Sequence, residues 1–135
     1  MLVPIQMCLF YEKKIQNQFP KEFISYIKEI YEINENRNFR LIEEVKSISK
    51  TFNSNKINHC FIKGSSLIIN HTFENLGDRM IGDIDILVAN KDFRKSILIL
   101  IEGGYQPKSG KYINDLYRHY PRLINKKKLF AVEIH

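Results

Sequence analysis

Apolar residues in the first half of the chain recur with the period of a helix. The stretch after Pro20, KEFISYIKEIYEI, places its apolar side chains on one stripe, and a proline suits the first turn of a helix. Residues 34–38 are polar and interrupt the stripe, and apolar residues at helical spacing resume over residues 41–52. The pattern therefore predicts two N-terminal helices separated by a break at residues 34–38.

Shorter apolar runs alternate with helical patterns in the rest of the chain. Strands are predicted over residues 57–63, 84–88, 116–124 and 129–135. Helices are predicted after the Lys63-Gly64 turn and over residues 91–102, before Gly103-Gly104. Strands interleaved with helices predict an α/β sheet with helices packed against it.

Length and composition fit one compact domain. The chain has 135 residues, of which 44% are apolar, and we expect a helical part over residues 1–55 and a core of strands and helices over residues 56–135. No apolar run approaches the length of about 18 residues that a membrane span needs. Cys8 and Cys60 form no CxxC pair, and the first residues lack the features of a signal peptide, which favours a reduced, cytoplasmic protein.

The excess positive charge is confined to one segment. The net charge is +6, and residues 107–128 contain seven bases and one acid, whereas bases and acids balance in the rest of the chain. Such a segment is expected to attract a polyanion, for example a nucleotide or a nucleic acid. For Lys126, Lys127 and Lys128 alone, the alternative is a hairpin tip in solvent.

Two aspartates interrupt the apolar run GDIDILV at residues 82–88. Side chains alternate along a strand, so Asp83 and Asp85 share one face, roughly 6–7 Å apart, while Ile84 and Ile86 point to the other face. Ionised carboxylates at this distance repel each other, and a divalent cation between them removes the repulsion. The alternative is a strand end that reaches water.

Two further features fit a site for a metal ion and a phosphate. Gly64 and Ser65 lie between a predicted strand and a helix, where free amides and the helix dipole favour a phosphate, and Ser65 or Ser66 adds a hydroxyl. Glu133 is an acid in the apolar run VEIH, and it supplies a third carboxylate if its strand lies beside residues 82–88. Each feature has an alternative when it is taken singly. Gly64 and Ser65 also fit a glycine turn with a serine cap, and Glu133 also fits an exposed residue on a terminal strand.

Four motifs can be compared with known families: KG at residues 63–64, RMIGDIDILV at 79–88, Gly-Tyr at 104–105 and VEIH at 132–135. Together they resemble the DNA polymerase β-like nucleotidyltransferase superfamily, and within it an uncharacterised bacterial nucleotidyltransferase-like branch. The resemblance covers residues 57–135 and implies a palm-like α+β fold, with a mixed sheet of about three to five strands flanked by helices. Family members continue with further helices, so we expect a longer chain, another subunit or a partner protein to complete the pocket.

The resemblance implies a metal-dependent nucleotidyltransferase. Asp83 and Asp85 match the paired ligands of one or two Mg²⁺ (or Mn²⁺) ions. Glu133 matches the third acid, which in the family assists metal binding or activates the acceptor hydroxyl. The implied reaction transfers a nucleoside monophosphate from a nucleoside triphosphate to an acceptor, which is a small molecule, a protein or a nucleic acid.

The resemblance also implies a set of phosphate-binding residues. Gly64 and Ser65 match the turn that positions the β and γ phosphates, and Ser66 follows them. Lys63 and Arg79 are the candidate charge partners of these phosphates. For Arg79, the alternative is an ion pair with a neighbouring acid.

Two histidines are candidates for a supporting role. His119 lies on the strand predicted to face residues 129–135 and is expected to approach Glu133 across that hairpin. His135 falls two residues after Glu133 and therefore shares its face. The alternatives are a partly exposed strand residue for His119 and a plain terminal residue for His135.

Two other functions compete with this interpretation. The first is a truncated or degenerate nucleotidyltransferase domain that binds a protein or a nucleic acid without catalysis. The second is a glycosyltransferase, in which an Asp-x-Asp motif also binds a metal ion and a nucleotide. A glycosyltransferase predicts a longer Rossmann-like region before the motif, which two leading helices fit poorly.

Overall fold

The computed structural model describes residues 16–72, 74–108 and 121–135. Within these ranges there are three α-helices: α1 (Lys21–Ser54), α2 (Lys63–Ile69) and α3 (Phe93–Glu102). The same ranges contain five strands: β1 (His59–Ile62), β2 (Asp83–Val88), β3 (Gln106–Pro107), β4 (Leu123–Ile124) and β5 (Ala131–Ile134). Short 3₁₀ turns lie at Gln16–Gln18, Leu76–Asp78 and Asn90–Asp92. The expected α+β class is confirmed.

The five strands form one mixed sheet in the order β1-β2-β5-β4-β3. Strand β2 pairs antiparallel with β1 and parallel with β5, while β4 pairs antiparallel with both β5 and β3. The last strand lies beside the GDIDILV strand, which is the condition on which a third carboxylate from Glu133 depends. The predicted strand over residues 116–124 is described only at its end, where β4 has two residues, and the two-residue β3 was not predicted.

One face of the sheet forms the hydrophobic core. Ile84, Ile86, Val132 and Ile134 are each 0% exposed on this face. They pack in one cluster with apolar residues of α1 and α3. Burying an aliphatic side chain of this size stabilises a fold by about 1.5–3 kcal/mol. The alternation that buries these four residues directs the intervening side chains of β2 and β5 to the opposite face.

The prediction of two N-terminal helices is wrong, because residues 21–54 form the single helix α1. The polar residues at 34–38 do not break it, since two of them are buried and bind another part of the chain. Asn34 donates to the carbonyl of Gly77 at 2.8 Å, and Asn38 donates to the carbonyls of Leu76 and Arg79. The helix therefore uses these polar positions to hold the loop that precedes β2.

Two more contacts fix the loop before β2. Arg37 donates to the carbonyl of Ile81 at 3.3 Å. A Cβ placed on Gly77 would lie 2.4–2.7 Å from ring atoms of Tyr31, so only glycine allows the backbone to approach that ring.

Within the described residues, no helix is both long and apolar enough to cross a membrane.

Candidate metal and nucleotide site

Strands β2 and β5 bring three acidic side chains together. In the parallel register, Asp85 lies opposite Glu133, and Asp83 lies opposite Ala131. All three carboxylates are on the face turned away from the core. Asp85 is only 3% exposed, whereas Asp83 and Glu133 are partly exposed. The pairing of β5 with β2 therefore allows Glu133 to act as a third carboxylate beside Asp83 and Asp85.

Arg122 bridges the acids of the two strands. In the hairpin of β4 and β5, Leu123 pairs with Val132, which places Arg122 next to Glu133. Its Nη2 donates to Asp83 Oδ2 at 2.6 Å, and its Nε donates to Glu133 Oε1 at 3.0 Å. A guanidinium shared by two carboxylates offsets the repulsion between them.

Lys63 and His135 both contact Asp85. Lys63 Nζ donates to Asp85 Oδ1 at 2.6 Å, and His135 Nε2 lies 2.9 Å from the same oxygen. Lys63 Nζ is also 3.5 Å from His135 Nε2. Lys63 has a φ of 55°, in the left-handed region that residues other than glycine rarely adopt, so the surrounding structure must hold it there.

Asp85, Glu133 and His135 form a cluster of metal-ligand type. Each offers one ligand atom, and these atoms all lie within 4.8 Å of one another. Asp83 is not a member of this cluster, and its carboxylate is paired with Arg122. Carboxylate oxygens are the ligands that Mg²⁺ and similar cations prefer. The donor set therefore fits a divalent cation beside Asp85 and Glu133.

The protonation of the site follows from burial and from the charge pairs. Burial raises the pKa of Asp83, the neighbouring Asp85 and Glu133 raise it further, and Arg122 and Lys63 oppose the shift. The hydrogen bond to Asp85 raises the pKa of Lys63, and the hydrogen bond to Glu133 raises the pKa of Arg122. Both bases therefore stay protonated at neutral pH and face the three acids as cations.

The hydroxyl groups of the predicted phosphate turn are engaged within the protein. Ser65 is 0% exposed, and its Oγ donates to the carbonyl of Ile62 at 2.9 Å. Ser66 Oγ donates to the carbonyl of Lys63 at 2.9 Å. A Cβ on Gly64 would lie 2.8 Å from the Cδ1 atom of Ile81, so the glycine packs closely against the loop before β2. Phosphate binding by Gly64, Ser65 and Ser66 stays a prediction.

Arg79 lies in the loop before β2 with an exposed side chain. The alternative of an ion pair with Asp78 or Glu74 is not found in the part of the chain that the structure describes. Asp78 instead accepts hydrogen bonds from the hydroxyl of Tyr31 and the amide of Asn75, each at 3.2 Å. A role for Arg79 as a phosphate partner stays a prediction.

Some predicted positions lie outside the described residues. His119 and residues 109–120 of the basic segment are among them. Lys126, Lys127 and Lys128 are exposed in the turn between β4 and β5, where the Lys127 amide donates to Asn125 Oδ1 at 3.0 Å. This fits the hairpin tip considered as an alternative, and contact of residues 107–128 with a polyanion stays a prediction.

Arg122 is the site residue that the sequence did not single out. It belongs to the predicted strand 116–124 that faces residues 129–135, but its contact with the acids was not predicted. The register of the hairpin carries the missing signal, because the residue opposite Glu133 must lie at the acid pair. Finding Arg122 from the sequence therefore requires the pairing of β4 with β5.

A mixed sheet that carries an Asp-x-Asp strand beside a third acid is consistent with a nucleotidyltransferase-like fold. The family model described as "Uncharacterised nucleotidyltransferase" matches residues 2–135, so the chain belongs to this family. The match includes the N-terminal helical part, which the four sequence motifs did not reach. Searches of curated proteins and of solved structures gave no match. The family match leaves the glycosyltransferase alternative without support.

Proposed function

We propose that the protein transfers a nucleoside monophosphate from a nucleoside triphosphate to an acceptor hydroxyl in the cytoplasm, with Mg²⁺ or Mn²⁺ as cofactor. The observation that carries the proposal is the register of β2 and β5, which sets Asp85 opposite Glu133 in a chain of a nucleotidyltransferase family. The acceptor is a small molecule, a protein or a nucleic acid. A further subunit or a partner protein is expected to complete its pocket.

The residues that hold the cation are Asp83, Asp85 and Glu133. Asp85 and Glu133 belong to the cluster whose ligand atoms lie within 4.8 Å of one another, and Asp83 lies two residues along the same strand face. When bound there, the cation neutralises charge on the triphosphate and on the leaving pyrophosphate. Asp83 becomes available to the cation when Arg122 breaks its ion pair with Asp83 and binds another anion.

Lys63 and Arg122 are the bases that orient the triphosphate in this proposal. Each now donates to site carboxylates, at distances of 2.6–3.0 Å. A triphosphate offers these donors stronger negative charge, and a cation replaces them at the carboxylates. Arg79 and the backbone of Gly64 and Ser65 provide further donors for the phosphates.

Glu133 has a second role in the proposal, as acceptor of the proton from the attacking hydroxyl. Its side chain is 13% exposed at the edge of the acid cluster, so an incoming hydroxyl has access to it. Once Arg122 has turned to the triphosphate, this carboxylate is the general base within reach of the hydroxyl.

One observation favours a second candidate function, a non-catalytic binding module. Each of the three carboxylates is already paired with a base, Asp85 with Lys63 and both Asp83 and Glu133 with Arg122. Charges that satisfy one another in this way also occur in purely structural networks. Binding of metal and nucleotide separates the two functions.

The test is isothermal titration calorimetry with Mg²⁺ or Mn²⁺ and each nucleoside triphosphate. We expect the wild type to bind a triphosphate only with the metal, and D83N/D85N to lose this binding. The matched control E43Q/E102Q removes two exposed carboxylates elsewhere and should bind as the wild type does. Metal-dependent binding that survives in D83N/D85N would contradict the proposed site, and no nucleotide binding by the wild type would support the binding module.

A further inference from the structure

Backbone hydrogen bonds to β2 hold His135 beside the acids of the site. Its amide donates to the carbonyl of Ile86 at 2.8 Å, and its carbonyl accepts from the amide of Val88 at 3.1 Å. These bonds continue the pairing of β5 with β2 beyond Ile134. The imidazole is 15% exposed, and its Nε2 atom lies 2.9 Å from Asp85 Oδ1 and 3.9 Å from Glu133 Oε2.

A positive charge already lies beside two of these side chains, Asp85 and His135. Lys63 Nζ lies 2.6 Å from Asp85 Oδ1 and 3.5 Å from His135 Nε2. The ammonium group therefore approaches both the oxygen and the nitrogen. With its proton on Nδ1, the imidazole of His135 turns the Nε2 lone pair towards the same position. A cation held by Asp85, Glu133 and His135 finds this nitrogen beside two carboxylates, because the three ligand atoms lie within 4.8 Å of one another.

We propose that His135 is a direct ligand of the catalytic metal ion, together with Asp85 and Glu133, and that it makes the site selective for Mn²⁺ over Mg²⁺. The inference rests on the proposed function, because it concerns the metal of the same site. It adds a ligand and a metal preference to the three-carboxylate set.

The chemistry of the ligand decides the preference. Mg²⁺ takes oxygen ligands in near-ideal octahedral geometry and gives up water reluctantly, so an imidazole adds little to its binding. First-row transition metals bind imidazole nitrogen more strongly, and Mn²⁺ also accepts carboxylates and phosphates. Two carboxylates and one imidazole therefore favour Mn²⁺ while they still leave coordination positions for phosphate oxygens.

The direct test is electron spin echo modulation spectroscopy of Mn²⁺ bound to the protein. Tripolyphosphate serves as the nucleotide analogue because it contains no nitrogen. We expect the wild type to show ¹⁴N coupling typical of a coordinated imidazole. Wild-type protein labelled with ¹⁵N-histidine should show the matching ¹⁵N pattern, and this comparison needs no variant. H135Q should lose the coupling.

Metal affinities give the second readout. H135Q should weaken Mn²⁺ binding by at least about tenfold, the lower end of what the loss of a supporting residue costs at a metal site. Mg²⁺ affinity, measured by competition with Mn²⁺, should change much less. The matched control is H71N, at an exposed histidine with a φ of 52°, where asparagine tolerates the left-handed backbone. H71N should keep both the coupling and the affinities.

The outcomes separate this inference from the function on which it rests. Mn²⁺ that binds to the wild type without nitrogen coupling would overturn the role of His135 and leave the three-carboxylate site intact. An unchanged ratio of Mn²⁺ to Mg²⁺ affinity in H135Q would overturn the metal preference. A wild type that binds neither Mn²⁺ nor Mg²⁺, even with tripolyphosphate, would overturn both proposals.

Discussion

Lys63 combines a strained backbone with a charged side chain at the acid cluster. Its φ of 55° places it in the left-handed region, and its ammonium group reaches Asp85. A left-handed conformation costs a residue other than glycine roughly 1–2 kcal/mol. The sequence was consistent with a glycine turn at Gly64, whereas the structure places the positive φ one residue earlier, at Lys63.

The first prediction separates the backbone of Lys63 from its charge. K63G and K63M both remove the ammonium group, so both should weaken metal-dependent triphosphate binding equally. K63G should be more stable than K63M by about 1 kcal/mol, because glycine accepts the left-handed conformation without strain. Urea unfolding and calorimetry measure the two effects. Equal stability of the two variants would show that the strain is negligible.

The second prediction is that loss of the Arg122 side chain changes the affinities for the metal ion and for the triphosphate in opposite directions. R122Q removes the cation that occupies Asp83 and Glu133, so the binding of Mn²⁺ alone should tighten, by about tenfold. The same change should weaken triphosphate binding in the presence of the metal, because a phosphate partner is lost. R40Q, at an exposed arginine of α1, is the control. A parallel loss of both affinities in R122Q would show that Arg122 only supports the fold.

At the scale of elements, residues 34–38 show how a sequence pattern can mislead. Their polarity predicted the end of a helix, because an isolated amphipathic helix keeps such residues in water. In the protein, Asn34 and Asn38 are 1% and 0% exposed, and their side chains replace water as partners of loop carbonyls. The partner loop is about 40 residues away in the sequence, so local periodicity holds no information about it.

The two strands that carry the acids were predicted from their alternation alone. Alternation in GDIDILV and VEIH gave both the strands and the side of the sheet that each acid occupies. The two-residue strands β3 and β4 are too short for such a pattern. The sequence therefore contained the acids of the site, whereas the pairing of Arg122 with them depends on the register of one of these short strands.

The third prediction tests the attachment of the loop to α1. N38A leaves the carbonyls of Leu76 and Arg79 without their side-chain donor, which should lower the free energy of unfolding by about 1–3 kcal/mol. Amide hydrogen exchange over residues 76–81 should also accelerate. N36A, at an exposed asparagine of the same helix, provides the control. Equal effects of the two substitutions would show that the loop is held by other contacts.

At the scale of the whole molecule, Glu44 joins three separate parts of the fold. This residue of α1 is 5% exposed and accepts a hydrogen bond from the hydroxyl of Tyr105, which follows α3. The backbone of Leu129 and Phe130, before β5, acts on the same carboxyl and opposes the rise of its pKa. Burial raises the pKa of Glu44 above its ordinary 4.5, and burial with the bond to Glu44 raises the pKa of Tyr105.

The fourth prediction follows from the direction of the Glu44 shift. A carboxyl whose pKa is raised by folding stabilises the folded state below pH 4.5 and loses this contribution as pH rises through the folded pKa. The free energy of unfolding of the wild type, relative to E44Q, should therefore fall as pH rises from 4.5. The neighbouring E43Q, at an exposed position, is the control. A difference that does not change with pH would contradict the raised pKa.

The bridge that Arg122 makes between β2 and β5 also determines whether the protein needs the metal ion in order to fold. Many small metal-binding domains stay unfolded until the ion arrives, because their clustered ligands cannot be brought together without it. Here a guanidinium and an ammonium already balance most of the negative charge at the join of the two strands. Maturation therefore does not need to coincide with metal uptake. We expect the far-ultraviolet circular dichroism to be unchanged by prolonged dialysis against EDTA and the unfolding transition to stay cooperative, which circular dichroism melts with and without the chelator would check.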